Sequence, residues 1–283
     1  MPTASPLWPA RLDHLCLASP DPDGLAEFYR DAMGMAPRRL DRETLLIEGC
    51  DRRLLVTKGE RNGAPFAAMR LGSTRQLAAL KADLEARGVE TSRSPTPLFG
   101  EDAFAVRDPD GRRLAFGLRE ETLADAAANS RASSLPARLQ HFVVATTDVE
   151  RWLPFYRDRV GFIMADEVCV GESVAPGEKL AAVFLRADVE HHSIAAFKAP
   201  EARFDHLAFE TTCWNDIRDW ADHLADMRIA AWWGPGRHGV GRNLFFMIKD
   251  PDGNNIELSA EIELMPRYMP HRRWPSAAQT LNA

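Results

Sequence analysis

The chain has no paired cysteines, no excess of basic charge and no long apolar run, and each absence removes a class of function. Its four cysteines, Cys16, Cys50, Cys169 and Cys213, are widely spaced and form no CxxC pair. Neither a zinc-thiolate site nor a disulfide framework is expected, and reduced, mostly buried thiols are. Lys and Arg number 35 against 41 Asp and Glu, a net charge of −6 that lacks the basic footprint of a nucleic-acid binder. No apolar stretch approaches the length of a membrane span. The opening residues Met1-Pro2-Thr3-Ala4-Ser5-Pro6-Leu7-Trp8 lack the basic and apolar regions of a secretory signal, so cytoplasmic residence is the expectation. What is there suits an ordinary globular protein. Its 283 residues, 45% hydrophobic and 27% charged, are enough for one large or two modest domains.

One module is written twice. Arg11-Leu12-Asp13-His14 recurs as Arg138-Leu139-Gln140-His141, and Phe28-Tyr29-Arg30-Asp31 as Phe155-Tyr156-Arg157-Asp158. His14 and His141, Tyr29 and Tyr156, and Gly34 and Gly161 are each 127 residues apart. The pattern predicts a strand, a turn and a short amphipathic helix stopped at glycine. The module ends match too: Asp108-Pro109-Asp110-Gly111 recurs as Asp250-Pro251-Asp252-Gly253, a tight-turn sequence between two strands. Each half also predicts one further helix, Leu77 to Arg87 and Ile217 to Met227. The division that follows is 1–119 for the first domain, 120–134 for an Ala/Ser-rich connector with a partly helical start, 135–264 for the second domain, and 265–283 for a proline-broken arm expected to lie over the second.

The candidate chemistry lies in the second half. Arg203-Phe204-Asp205-His206-Leu207-Ala208-Phe209-Glu210 alternates as a half-buried strand and holds one imidazole among apolar neighbours. A lone histidine there reads first as a hydrogen-bonded core residue. It reads as a metal ligand only if neighbouring strands supply partners. His141, in Leu139 to Val144, and Glu257, in Asn254 to Leu258, are such partners. Two histidines and one carboxylate make a facial site for iron(II), with positions left open for substrate and oxygen. In the first half only His14 persists: sequence alignment sets Ala68 against His206 and Ala115 against Glu257. One imidazole cannot hold a divalent ion, so that half should be empty and His14 structural or vestigial.

These residues resemble the type I extradiol ring-cleaving dioxygenases of the vicinal oxygen chelate superfamily, of which dihydroxybiphenyl and catechol 2,3-dioxygenases are members. The likeness is most specific at Leu139-Gln140-His141-Phe142-Val143, Glu190-His191-His192-Ser193-Ile194-Ala195, Phe204-Asp205-His206-Leu207, and Gly234-Pro235-Gly236-Arg237-His238-Gly239 leading to Asp250 through Glu257. It implies an α+β fold of tandem βαβββ units, two domains each forming an open, curved sheet barrel, with metal in the C-terminal one. It implies His141, His206 and Glu257 as ligands of Fe(II), with Mn(II) the alternative, a catechol and O2 as substrates, and a homo-oligomer. It implies His192 as acid–base residue and His238 as a partner to the substrate oxygens. His191, next in a strand, would then face outward or into packing. Val143 and Phe184 share the faces of His141 and His192 and are expected to line an apolar pocket. No arginine stands in the matched positions to bind a substrate carboxylate; in the tail Arg267, Arg272 and Arg273 read first as solvated surface residues and only as exceptions could offer one.

The likeness breaks at one place. Family members usually carry a tyrosine nine residues beyond the histidine matched by His238, where this chain has Met247. A thioether cannot donate the hydrogen bond of a phenol. Tyr268 in the tail, folded over the mouth, would be a substitute. Three readings follow: an extradiol dioxygenase for a hydrophobic catechol; a metal-dependent isomerase or lyase of the same superfamily, to which Met247 points; and a metal-free binding module, which the survival of all three ligand positions disfavours.

Overall fold

A computed structural model describes residues 5–119 and 134–276; the expected connector lies outside them except for Ser134. The first half holds strands β1 (Ala10–Ser19), β2 (Ala36–Arg39), β3 (Thr44–Gly49), β4 (Arg52–Lys58), β5 (Gly63–Leu71), β6 (Ser92–Arg93), β7 (Phe104–Arg107) and β8 (Arg113–Gly117). Helix α1 (Pro22–Met33) follows β1, and α2 (Thr74–Ala86) follows β5. The second half repeats the order with β9 (Arg138–Thr146), β10 (Ile163–Cys169), β11 (Leu180–Arg186), β12 (Ile194–Lys198), β13 (Arg203–Glu210), β14 (Trp233–Arg237), β15 (Leu244–Lys249) and β16 (Asn255–Ala260). Helices α3 (Val149–Pro154) and α4 (Trp214–Asp226) follow β9 and β13, and β17 (Arg272–Pro275) comes from the arm.

Each half is two βαβββ units joined through their first strands. β1 pairs antiparallel with β5 and parallel with β4, and β5 pairs parallel with β8. In the same way β9 pairs antiparallel with β13 and parallel with β12, and β13 pairs parallel with β16. The sheets run β2-β3-β4-β1-β5-β8-β7-β6 and β14-β15-β16-β13-β9-β12-β11-β10-β17. The tandem α+β architecture is therefore as expected. The further helices begin and end slightly earlier than the periodicity suggests, Thr74–Ala86 being capped by the Ser73 side chain. Both glycine stops hold: Gly34 and Gly161 cap their helices at φ of 62° and 96°, in the left-handed region that favours glycine. The two helices differ where Pro154 stands in the place of Glu27. Proline offers no N–H, and the chain continues as a π-helical turn over Phe155–Val160.

Side-chain alternation divides the second sheet into two faces. Phe142, Val144, Leu207, Phe209, Ile256 and Leu258 enter the large hydrophobic core that both halves share. Their neighbours His141, Val143, His206, Asn255 and Glu257 face a cavity instead.

The repeated motifs turn out to hold the two halves together. Tyr156 Oη donates to Asp108 Oδ2 at 3.0 Å, and Tyr29 Oη donates to Asp250 Oδ2 at 3.3 Å. Each module's helix tyrosine is thus seated on the other module's Asp-Pro-Asp-Gly turn, and both phenols are fully buried. The arm is fixed by Arg186, fully buried, which donates to the carbonyls of Met265, Pro266 and Arg267 at 2.8, 2.9 and 3.1 Å. Its strand β17 extends the sheet beside β10. Cys16 and Cys169 are buried thiols; Cys50 is exposed and Cys213 half-buried. Among the described residues no helix is long and apolar enough to cross a membrane.

Two stability predictions follow from this packing. Tyr156→Phe leaves a buried carboxylate short of one donor and should cost about 1.5–3 kcal/mol in urea unfolding; an unchanged midpoint would mean the clasp carries no energy. Glu210, where β13 meets the root of the arm, accepts from Ile262 N at 2.9 Å, and its Oε2 has no partner. Burial pushes its carboxyl from 4.5 up to about 7. A raised folded-state pKa means a contribution fully present below the unfolded value and lost as pH rises through the folded one. Glu210→Gln should therefore gain on the wild type as pH rises from about 4.5 through about 7, and a pH-independent difference would contradict the assignment.

Candidate metal centre

Register brings the three candidate ligands together. His141 on β9 lies opposite Ala208 on β13, which lies opposite Glu257 on β16; His206 sits two residues before Ala208 on the same face. His206 Nε2 is 3.3 Å and His141 Nε2 3.7 Å from Glu257 Oε2, and all three ligand atoms lie within 4.8 Å of one another. Bonds of about 2.1 Å to one ion separate adjacent octahedral donors by about 3 Å, so the arrangement fits a facial triad.

A strand that simply alternated would not achieve this. Gln140 and Asp205, the residues just before the two histidines, are each passed over in the β9–β13 register. These bulges reverse the parity of the strands. Leu139 and Phe204 face the core, while His141 and His206, two residues on, face the cavity. The same distortion brings each preceding side chain against its histidine: Gln140 Oε1 accepts from His141 Nδ1, and Asp205 Oδ2 from His206 Nδ1 at 2.8 Å. With Nδ1 protonated, Nε2 carries the lone pair, which is the tautomer that a metal requires. Asn243, fully buried, donates from Nδ2 to Glu257 Oε1 and to Ser259 Oγ, both at 2.9 Å, and so orients the carboxylate.

The electrostatics suit a cation. Burial opposes charge on Glu257, but hydrogen bonds with His141 and His206 hold its carboxyl well below the usual range. Burial likewise opposes a charged His206, yet Asp205 and Glu257 raise it to about 9. A divalent ion would take the place of that proton.

The triad opens on a cavity of about 540 Å³ whose lining includes Val143, Phe184, Met247, Trp232 and Trp233, together with His192 and His238. Phe184 meets the His192 ring edge-on at 5.2 Å. His238 stacks on Phe245 at 3.7 Å, and its Nε2 is 3.9 Å from Glu257 Oε1. It follows directly on the edge strand β14, which carries Gly234 to Arg237. Gly234 is required there, because a Cβ would meet Phe245 O at 2.8 Å. Met247, directly opposite Glu257 across β15 and β16, is 3% exposed and occupies the place of the missing phenol.

His191 takes the second of its two expected places, packing: it is fully buried, and its Nδ1 lies 2.9 Å from His192 Nδ1. The pair lies in a bend before β12. Three expectations need correction. Tyr268 does not cover the mouth. It is 79% exposed, because Arg186 and the β10–β17 pairing carry the arm along the sheet edge. The tail arginines are engaged elsewhere, Arg272 on Asp166 and Glu263, Arg273 on Glu167, and Arg267 over Trp8. The cations at the cavity are instead Arg203, which donates to Asp205 Oδ1 at 2.7 Å, and the exposed Lys198. Finally, the residue in His206's place in the first half is Phe66 and not Ala68, since Phe66 lies opposite Cys16 as His206 lies opposite Val143. Ala115 does occupy the place of Glu257, opposite Ala68 as Glu257 is opposite Ala208. Phe66, Phe99, Leu98, Leu46 and Leu55 fill the space that is a cavity in the second half. His14 is spent there on Asp13 and Thr96, each at 2.7 Å.

Asn243, Gln140, Asp205 and the two tryptophans were not singled out from sequence. A polar residue before each histidine was the available signal for Gln140 and Asp205; Asn243 had none. Metal titration against a competing chelator should show His206→Ala unable to hold a stoichiometric divalent ion, and Asp205→Ala binding it about 10–100-fold more weakly. Wild-type affinity in both variants would contradict the site.

The chain is similar to known proteins over most of its length. The model of the Glyoxalase/Bleomycin resistance protein/Dioxygenase superfamily matches residues 11–116 and 138–258. Metapyrocatechase 2 of Cupriavidus necator is 26% identical over 94% of this chain and 84% of its own. A manganese-dependent 2,3-dihydroxybiphenyl 1,2-dioxygenase of Geobacillus genomosp. 3 is 25% identical over 88% of this chain and 84% of its own. The crystal structure of homoprotocatechuate 2,3-dioxygenase from Arthrobacter globiformis superposes with a TM-score of 0.81 at 24% identity, covering 99% of this chain and 89% of that one. With both halves matched and the fold shared, the chain belongs to the glyoxalase/bleomycin resistance protein/dioxygenase superfamily.

Proposed function

We propose that the protein is an Fe(II)-dependent extradiol dioxygenase that opens a hydrophobic, substituted catechol beside its two hydroxyls. The observation that carries this reading is a buried triad of His141, His206 and Glu257 opening onto an apolar cavity flanked by His192 and His238. The extradiol dioxygenases among its relatives give the reaction class. When bound, a redox-active divalent ion supplies Lewis acidity toward vicinal oxygens and a route for electrons to dioxygen.

The chain's own residues do the rest. Val143, Phe184, Trp232 and Trp233 surround an aromatic ring and exclude water. Burial first, and the neighbouring His141 and His191 second, hold His192 well below its ordinary pKa, so it is a neutral imidazole at pH 7. It is placed to accept a substrate hydroxyl proton and return it later. His238, held against Phe245 beside Glu257, faces the same space and serves the substrate oxygens. Arg203 and Lys198 also line the cavity.

A second reading has one specific observation behind it. Met247 puts a thioether where the family resemblance leads us to expect a phenol, which suits a metal-dependent isomerase or lyase that uses no oxygen.

The test is a panel of catechols added anaerobically to the iron-loaded protein, followed optically for chelation and then exposed to air. The expected outcome is stoichiometric oxygen uptake with a yellow ring-fission product. Tight iron binding with no oxygen consumption from any catechol would overturn the proposal; turnover that persists without air and with zinc in place of iron would select the second reading. Under the first, Met247→Tyr should raise kcat about tenfold, the worth of one hydrogen bond made in the transition state.

A further inference from the structure

His192 lies at the end of a buried chain of hydrogen bonds that begins in the C-terminal arm. Its Nδ1 is 2.9 Å from His191 Nδ1, and His191 Nε2 is 3.0 Å from Asp166 Oδ2. His191 and Asp166 are both fully buried. Asp166 is surrounded by donors from β17. Arg272 donates from Nε to Oδ1 at 2.8 Å and from Nη2 to Oδ2 at 2.9 Å, its backbone N reaches Oδ1 at 3.2 Å, and Trp274 Nε1 donates to Oδ2 at 2.8 Å. Burial alone would raise the Asp166 carboxyl, but the His191 and Arg272 hydrogen bonds outweigh it and the group is held below its ordinary value.

A carboxylate already fed by arginine and tryptophan can only accept, so His191 Nε2 must carry hydrogen. With one proton on each imidazole, the polarity of the chain then has one solution: His191 Nδ1 is bare and accepts from the Nδ1 of His192. We infer that Asp166 and His191 are positioning residues, which lock His192 as its Nδ1–H tautomer and leave the Nε2 lone pair facing the cavity. The arm, whose strand delivers Arg272 and Trp274, is then part of the site through Asp166 as well as through Ser276 at the cavity wall. Gly241 fits the same account, since a Cβ there would lie 3.3 Å from His191 Nδ1 and press on the relay.

The consequence for turnover rests on the function proposed above. As a substrate O–H bond breaks, the N–H bond forms at His192 Nε2. The charge that develops on that ring is met, through His191, by Asp166. Without the relay the ring could present Nε2–H instead, a donor where an acceptor is needed.

The direct test is neutron diffraction from deuterium-exchanged crystals of the iron-loaded wild type. Deuterium is expected on His192 Nδ1 and His191 Nε2, with His192 Nε2 bare. Deuterium on His192 Nε2 with Nδ1 bare overturns the inference, and this measurement needs no variant to fold and no turnover. The kinetic arm compares two substitutions. His191→Asn keeps an acceptor near the Nδ1 position and should hold kcat within about fivefold. His191→Leu removes it and should lower kcat about 100-fold, with KM and iron content nearly unchanged. Equal losses in the two, or a loss that follows iron content, would make His191 merely structural. A wild type that turns over no catechol would instead contradict the proposed function, and the neutron result would still decide the tautomer.

Discussion

The site depends on a strand being locally irregular. If β9 and β13 alternated without interruption, the residues two positions after Leu139 and Phe204 would also face the core, and neither His141 nor His206 would reach the cavity. One passed-over residue in each strand reverses the parity. The same residue becomes the hydrogen-bond partner that sets the histidine's tautomer. Aim and chemistry are thus delivered by one device. The first half shows that the device does not need a metal site: β1 is bulged at Asp13, and Asp13 grips His14 in the same way, although Phe66 and Ala115 stand where the other ligands would be. Without partners, the histidine is absorbed into a packed network with Thr96.

The doubled architecture serves both stability and function. The first half shares a core with the second and clasps it by reciprocal tyrosine–aspartate contacts, and its own concave face is plugged by Phe66, Phe99 and leucines. That leaves the second half free to keep an open face lined with polar ligands. Buried charge there is tolerated because each group is answered: Glu257 by two imidazoles and Asn243, Asp166 by Arg272, Trp274 and His191.

Much of this was legible in the sequence, for physical reasons. The constant spacing between repeats exposed the doubling, and an alanine at 115 against a glutamate at 257 identified the half with chemistry. What the sequence obscured was register. Phe66 and Phe204 are the same residue type in similar strands and invite alignment, yet hydrogen-bond pairing puts Phe66 level with His206. A shift of two keeps every face and leaves no trace in the apolar pattern. Tyr268 was misplaced because the path of the arm is set by Arg186, 79 to 81 residues away in sequence, at carbonyls that carry no side-chain signal. Asn243 illustrates the general difficulty: its role exists only once β15 and β16 are paired and Glu257 is within 2.9 Å.

The central claim is that a single ion belongs between His141, His206 and Glu257. Anomalous diffraction at the iron edge, from crystals of protein loaded with Fe(II) under anaerobic conditions, measures this directly. The account predicts one strong peak per chain, about 2.1 Å from Nε2 of both histidines and from one oxygen of Glu257. A peak elsewhere, or none while the three side chains keep their present positions, would contradict it.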